Sequence, residues 1–486
     1  MAEIDEHPAV PDAAIGARMQ RRVVTQAVGA TLLVMFDFNA PLATLTATSR
    51  ALEATPQVQT WMLSGISLGL ASSLLVTGAL GDDLGRRRVF GAGLGLLAVA
   101  TVGAGLAPNA WTFVAARVVQ GIASAAVLAC GLGLIAQVLP DALLRQRATG
   151  FWGASLGAGV ALGPLLATWV AGLGTWRAVY LVEGVMALAL AGAATRLVDV
   201  PPGRSRRFDA PGVVSFVGAI TLLLTGLVEG QQGWGRPATT VSLGAGGLLL
   251  ALFVLVETRR SEPLIEVGLF RSRGFVAAIT GALATGLAII GFMSYLPTVL
   301  QRGIGESPTE SASVLAIWSG VSAIVALGAR WLPGSISARW QLAGGLLLCA
   351  VGLLGVSNLT AVSSWVQLVP GLVVTGIGSG ILNAALARLA VESVPHGRAG
   401  MGSGANNTAR YVGSSAGVAV VVAVISGHGS AGLGRSPAAE LVGGMNLAAL
   451  TCAVIAFAGA VVTLIVGAPP RRRTPDDSGT NPHRTF

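Results

Sequence analysis

Three charged residues lie inside long apolar segments of the sequence, where a charge is costly. Arg117 falls in the first third of the apolar run 111–139, Asp37 about two thirds along 24–46, and Glu183 within 176–195. An arginine placed centrally in a membrane span costs roughly 2.5–3.5 kcal/mol, so Arg117 should face the protein interior and have a partner there. A buried carboxyl group can take up and release a proton as its surroundings change. These residues predict a proton-transfer site within a membrane.

Each of these residues also has a simpler interpretation. Arg117 could extend its side chain to the cytoplasmic face, and Asp37 could be satisfied by neighbouring hydroxyl groups without carrying protons. Glu183 could be a second protonation site, a contact for a cationic substrate, or a water-exposed residue at the outer rim.

The composition requires a membrane protein. Hydrophobic residues make up 53% of the 486 residues and charged residues 11%, with a mean hydropathy of +0.72; a soluble domain has roughly 25% charged residues. All 31 basic residues are arginines, so the chain lacks the lysine of an ATP-binding P-loop, which argues against an ATP-driven pump. The arginines lie in short loops between apolar runs, so the net charge of +9 indicates membrane topology and predicts no nucleic-acid partner.

Fourteen apolar runs have about the length that a bilayer requires. The predicted spans are 24–46, 60–80, 89–107, 111–139, 149–171, 176–195, 211–229, 239–257, 274–299, 311–329, 339–357, 364–388, 404–426 and 442–467. The predicted fold class is an all-α polytopic membrane protein.

An internal repeat divides these spans into six, two and six. The segment Val118–Ser124 in span 4 matches Val373–Ser379 in span 12, and Gly153–Gly157 in span 5 matches Gly413–Gly417 in span 13. Two six-helix copies of this kind form the halves of transporters that rock about a central site. The position that corresponds to Arg117 in the second copy is Leu372. Helix packing alone therefore does not require a charge there.

The predicted domains follow from the repeat. They are a cytoplasmic tail (1–22), a first six-helix bundle (23–196), a linker with two additional spans (197–265), a second six-helix bundle (266–468) and a second tail (469–486).

The distribution of arginines predicts the orientation. With both termini in the cytoplasm, 24 of the 31 arginines lie in cytoplasmic segments, five in outside loops and two within spans. Cytoplasmic loops carry the excess of positive charge. We therefore expect a multi-pass protein with both termini cytoplasmic. The all-arginine composition, rich in alanine, glycine and valine, indicates a bacterial source, so the expected membrane is the plasma membrane.

The loop Gly78–Arg88 reads Gly-Ala-Leu-Gly-Asp-Asp-Leu-Gly-Arg-Arg-Arg. Its order of Gly78, Asp82, Gly85, Arg86 and Arg87 resembles the loop between spans 2 and 3 of the major facilitator superfamily of transporters. Asp82 could accept hydrogen bonds from a helix N-terminus or pair with an arginine of a neighbouring loop. Either contact would latch one conformation shut. The second-half counterpart, 328–334, has lost its acid, so the latch is expected to be one-sided.

Further motifs resemble the fourteen-span drug:proton antiporters of that superfamily. Arg117-Val-Val-Gln120-Gly121 is similar to a span 4 motif that the family ties to proton coupling, and Gly159-Val-Ala-Leu-Gly163-Pro164 is similar to a span 5 motif of antiporters. The glycine spacing allows close backbone contact and the proline bends the span. Asp37 stands where the family has a span 1 aspartate, whereas the residues after it depart from the family pattern, and Glu183 lies near a usual asparagine.

The resemblance implies a proton-coupled exporter of small amphipathic or hydrophobic compounds that confers drug resistance by alternating access. A symporter that imports a metabolite and a narrow-range exporter of an endogenous natural product are the alternatives. An enzyme is not expected, because the spans hold no histidine and no paired carboxylates appear at the surface. The expected partners are the lipid bilayer, a small-molecule substrate and protons. We expect a monomer without a cofactor or a metal.

Overall fold

A computed structural model describes residues 16–197, 209–231, 233–260, 264–265, 267–328, 336–360, 362–395, 398–429 and 436–466. The tails 1–15 and 467–486 and the second-half loop at 329–335 lie outside these described residues. Fourteen helices within the described residues are long and apolar enough to cross a membrane, as the sequence predicts. Their bounds are α1 Ala17–Ala51, α2 Pro56–Leu84, α3 Arg86–Gly105, α4 Ala110–Val138, α5 Ala142–Gly172, α6 Trp176–Ala194, α7 Ala210–Gly230, α8 Pro237–Glu257, α9 Arg273–Ile304, α10 Pro308–Gly328, α11 Ala338–Gly355, α12 Trp365–Glu392, α13 Ala399–Gly429 and α14 Pro437–Val466.

Several helices are longer than their predicted spans. The helix α1 begins seven residues before the predicted start at 24, and α5 begins seven residues before 149. Hydropathy identifies the part of a helix that lies in hydrocarbon, whereas the helix itself continues until a cap ends it. At the start of α5 that cap is Asp141, whose carboxylate accepts a hydrogen bond of 2.8 Å from the amide of Leu144.

The halves of the repeat have separate hydrophobic cores with a shared boundary. One core joins residues of α1–α8 with a few residues of α9, α12 and α13, and a second core lies between Ala282 and Ala460, within the second half. The helix α4 is the most enclosed, with 83% of its most apolar window buried, whereas the corresponding value for α8 is 17%. This difference places α4 at the centre of its half and α8 at the lipid-facing surface. The helix α7 packs on both α2 and α13 and so contacts both halves.

The helix α9 departs from the regular span predicted over 274–299. It contains two π-helical turns, Thr285–Ile290 and Leu300–Ile304, and Pro297 between them lacks a backbone donor. The backbone of α13 packs directly against the first π-turn. A Cβ atom on Gly286 would overlap the Arg410 carbonyl oxygen and lie 2.6 Å from the Ser414 nitrogen. Such turns often occur at functional sites.

Close glycine packing between α2 and α4 leads to a stability prediction. A Cβ atom on Gly121 would lie 2.6 Å from the Leu70 nitrogen, because the two helices cross there with their backbones in contact. We expect Gly121→Ala to lower the free energy of unfolding by about 1–3 kcal/mol, as overpacking does in cores. Denaturation in detergent would measure the loss. Gly103→Ala is the matched control, since its Cβ would meet nothing within 4 Å, and an equal effect in both variants would contradict the prediction.

Candidate functional site

Arg117 lies at the centre of a buried polar network between α1 and α4. Its side chain is fully buried. Its NH1 group donates to the backbone oxygen of Asp37 at 2.8 Å and lies 3.7 Å from the Asp37 carboxylate oxygen Oδ1, while NH2 donates to the backbone oxygen of Phe38 at 3.3 Å. Arg117 therefore binds α1 through hydrogen bonds to the α1 backbone as well as through its charge. The alternative in which Arg117 extends to the cytoplasmic face is wrong.

Gln120 completes the contact between Arg117 and Asp37. It lies three residues after Arg117 on the same face of α4, and its Oε1 accepts from Arg117 NH1 at 3.1 Å. Its Nε2 donates to Asp37 Oδ1 at 2.8 Å and to Thr101 Oγ1 at 3.1 Å. The Arg-x-x-Gln spacing thus places a cation and an amide against the same carboxylate.

Glu183 on α6 is the fourth member of this network. Its side chain is buried, and its carboxyl group lies next to that of Asp37. The structure therefore does not support a water-exposed rim position. Asp37 Oδ2 and Glu183 Oε2 each lack a hydrogen-bond donor among the described residues. Two deprotonated carboxylates are both acceptors and repel each other, so this pair can accommodate a proton. We call Asp37, Arg117, Gln120 and Glu183 the buried charge network.

Sequence reasoning missed Tyr180, which lies one helical turn before Glu183. Its hydroxyl group is 3.1 Å from the Thr44 hydroxyl of α1, and its ring packs edge-on against Phe113 and Trp176. These rings cover the outer side of the buried charge network. The spacing of Trp176, Tyr180 and Glu183 on one face of α6 was the available signal.

The motif Gly159–Pro164 sets the distance between α5 and α1. A Cβ atom on Gly159 would overlap the Met35 side chain, and one on Gly163 would lie 3.3 Å from the Cα atom of Phe36. Both contacts precede Asp37 by one or two residues. The motif thus positions the helix segment that carries the acid.

Asp82 connects the two halves at the end of the helix bundle where α2 turns into α3. Its Oδ1 accepts from Arg86 Nε at 2.8 Å and from the Gly400 amide at 3.1 Å, and its Oδ2 accepts from the Met401 amide at 2.9 Å. These amides belong to the first turn of α13, where unpaired donors and the helix dipole favour an anion. Asp82 therefore makes the predicted contact with a helix N-terminus, whereas its arginine partner, Arg86, lies in its own loop and not in a neighbouring one. We call Asp82, Arg86 and these two amides the latch.

Glycines let the latch close. Gly78 lies against the backbone of Gly400, where a Cβ atom would overlap, and Gly85 has a φ of 102°, which favours glycine, at the turn between α2 and α3. Arg87 donates to the backbone oxygens of Thr195 and Leu197 at 3.0 and 3.3 Å, within the first half.

Two further ion pairs across the halves were not predicted. The NH1 atom of Arg398 lies 3.8 Å from Oδ1 of Asp83, and the NH2 atom of Arg145 on α5 lies 4.0 Å from Oε1 of Glu392 on α12. Hydropathy gives no signal for such contacts, because each residue reads as part of an ordinary cytoplasmic loop. The second-half counterpart of the latch loop lies outside the described residues from 329 onward, so the one-sided latch stays a prediction.

Weakening the latch should expose the interface between the halves at that end of the bundle. We expect Asp82→Asn to raise the rate of maleimide labelling of Ala405→Cys, a buried position on α13, by roughly tenfold, because the loss of charge-assisted hydrogen bonds destabilises the closed arrangement. The native cysteines Cys130, Cys349 and Cys452 are all buried, so the background is low. Asp141→Asn is the control, because asparagine also caps helices. Unchanged labelling in Asp82→Asn would contradict the latch.

The model of the Major Facilitator Superfamily matches residues 27–418. The chain belongs to this superfamily. It is similar to the multidrug resistance protein Stp of Mycobacterium tuberculosis (32% identity over 77% of this chain and 70% of the relative). It is also similar to the cephamycin export protein CmcT of Amycolatopsis lactamdurans (31% identity, 92% of both chains) and to the puromycin resistance protein pur8 of Streptomyces alboniger (31%, 90% and 88%).

Solved structures show the same fold. The human organic anion transporter MFSD10 has a TM-score of 0.67 at 17% identity, covering 91% of this chain and 99% of that one. The proton:xylose symporter XylE has a TM-score of 0.67 at 13% identity, covering 93% and 96%. At such identities the likeness concerns the fold alone. The chain is thus a multi-pass membrane transporter of the superfamily that carries a small-molecule substrate.

Proposed function

We propose that this protein is a proton-coupled exporter of small amphipathic or hydrophobic compounds that works by alternating access. The observation that carries the proposal is the buried charge network, in which two carboxyl groups and one arginine lie in contact within the membrane. Relatives whose names record multidrug resistance, cephamycin export and puromycin resistance support export as the direction of transport.

The network supplies a site that can gain and lose one proton without unfolding. A proton that enters from outside binds between Asp37 and Glu183, and it removes one negative charge from the surroundings of Arg117. The guanidinium group keeps its hydrogen bonds to the two backbone oxygens of α1 in either state. The change in charge shifts the balance between the two conformations, and substrate release outward accompanies proton entry.

The latch selects which side is closed. Its hydrogen bonds join α2 to the first turn of α13, so breaking them allows the halves to separate at the cytoplasmic side. We also propose that both termini are cytoplasmic, as the arginine distribution supports, that the membrane is the bacterial plasma membrane, and that the protein acts as a monomer without a cofactor.

Drug efflux in cells that lack their own exporters tests this function. Cells that express the chain should accumulate less ethidium or survive higher concentrations of puromycin or cephamycin, and a protonophore should abolish the difference. Everted vesicles should lose their pH gradient when the same compound is added. Proton-driven uptake into intact cells would instead favour the symporter, and export that persists with the protonophore would contradict proton coupling.

A further inference from the structure

Arg410 is a further buried arginine, and it lies within the membrane-spanning helix α13. It is eleven residues from the start of α13, which places it about 16 Å along the helix at ~1.5 Å per residue. The helix has 31 residues, or about 46 Å, so Arg410 lies about a third of the way along it. Arg410 is 7% exposed. An arginine that only anchors the helix to the headgroups would lie near a helix end instead.

Arg410 lacks the acidic partner that Arg117 has. Its NH1 group donates to the side-chain oxygen of Asn383 at 3.3 Å, its Cζ atom lies 5.5 Å from the Tyr411 ring centroid, and its Nε has no acceptor among the described residues. Within the described residues, no carboxylate lies within 4.0 Å of it. A buried cation is stable when an anion or several acceptors accompany it. A neutral amide supplies only part of that requirement.

The surroundings of Arg410 face the other half of the transporter. Asn383 on α12 lies against α5, because a Cβ atom on Gly153 would be 3.7 Å from the Asn383 carbonyl carbon. Next to Gly153, the Trp152 indole nitrogen is a second buried donor without an acceptor among the described residues. Trp152 and Arg410, two buried residues with donors that lack acceptors among the described residues, thus lie on helices of the two halves.

An aromatic pair lies beside this position and joins it to the buried charge network. Phe38 of α1 and Tyr411 of α13 contact each other across the halves, with ring centroids 6.0 Å apart. Phe38 directly follows Asp37, and its backbone oxygen accepts from Arg117. Flat apolar groups favour contact with such rings. Separating the halves would expose the rings and the Arg410 guanidinium together.

We propose that Arg410 binds an anionic group of the exported compound, so that the transported class comprises aromatic or similarly apolar molecules that carry a carboxylate or another oxyanion. The guanidinium fork supplies directional donors to the oxyanion, Asn383 holds its orientation, and Phe38 with Tyr411 contacts the apolar body. The first half binds the proton and the second half binds the anion. This inference rests on the proposed function, because it names the class of compound that is exported.

A matched pair of fluorescent probes tests the anion site. 1-Pyrenebutyrate and its neutral amide share ring and chain and differ by one charge, and energy transfer from the 10 tryptophans of the full chain reports binding in lipid nanodiscs. We expect the wild-type protein to bind the carboxylate roughly tenfold more tightly than the amide, because a hydrogen bond to a charged group contributes about that much to affinity. Equal binding of the two probes, or binding of neither, would overturn the proposal.

Variants assign the preference to Arg410. Arg410→Gln should lose the preference for the carboxylate probe, because carboxylate binding weakens roughly tenfold while amide binding stays unchanged. Arg410→Lys should keep most of this preference. Arg302→Gln, an exposed position at the end of α9, is the control for charge in general. A preference that persists in Arg410→Gln would also overturn the proposal. Protonophore-sensitive drug efflux is measured separately, so a failure of proton coupling is distinguishable from a failure of the anion site.

Discussion

Asp37→Asn is expected to abolish the concentration of exported compound against a gradient while leaving passive exchange intact. Each charge moved through 100 mV supplies ~2.3 kcal/mol, which sustains a roughly fiftyfold concentration ratio because ~1.4 kcal/mol corresponds to tenfold. An amide cannot take up the proton that couples this energy to transport. Its side-chain oxygen can still accept the hydrogen bond that Gln120 donates to Asp37. The fold and the substrate path should therefore survive.

The measurement compares two assays on reconstituted vesicles. Proton-driven accumulation should fall from the coupled ratio to about one, whereas exchange of labelled for unlabelled compound should continue near the wild-type rate. Asp141→Asn, which removes an exposed acid at the N-terminus of α5, should change neither assay. Full proton-driven accumulation of the compound in Asp37→Asn would refute the role of this acid. If accumulation were lost only in Glu183→Gln, Glu183 would be the proton site instead.

Arg117→Met is expected to cause the largest loss of stability. Removing this cation leaves a buried pair of carboxyl groups without a counter-charge, and breaking a buried ion pair in this way typically costs about 3–5 kcal/mol. The double variant Arg117→Met/Asp37→Asn should recover part of that loss, because it removes the uncompensated charge as well as its partner. Unfolding in detergent would measure all three proteins.

The stability that the double variant recovers distinguishes an electrostatic role of Arg117 from a packing role. If Arg117 only fills space between α1 and α4, the double variant would be no more stable than Arg117→Met, and this outcome would contradict the network. Arg302→Met is the control, because its side chain is exposed and its loss should change stability little. Arg117→Lys should transport poorly, since a lysine cannot reproduce the fork that contacts both Asp37 and Phe38.

Much of the architecture could be predicted from the sequence. The fourteen spans follow from apolar runs of bilayer length, since a helix is the unit that satisfies its own backbone in lipid. The sequence also indicated that Arg117 and Asp37 would be buried, because a charge inside an apolar run must find a partner in the protein. Helix ends and the π-turns of α9 were not predicted. Caps and local packing determine them, and hydropathy is insensitive to both.

By itself, then, the sequence determined the class of protein, the number of spans and which charges enter the membrane, because these depend on composition along one helix at a time. Only the tertiary structure decided which of those charges meet. Asp37 and Glu183 are in contact although 146 positions separate them, and Asp82 accepts from amides more than 300 positions away. Arg410, in contrast, is left with an amide and no acid among the described residues. Such contacts depend on how each helix is rotated and where glycines let it approach its neighbour, and hydropathy does not encode these features.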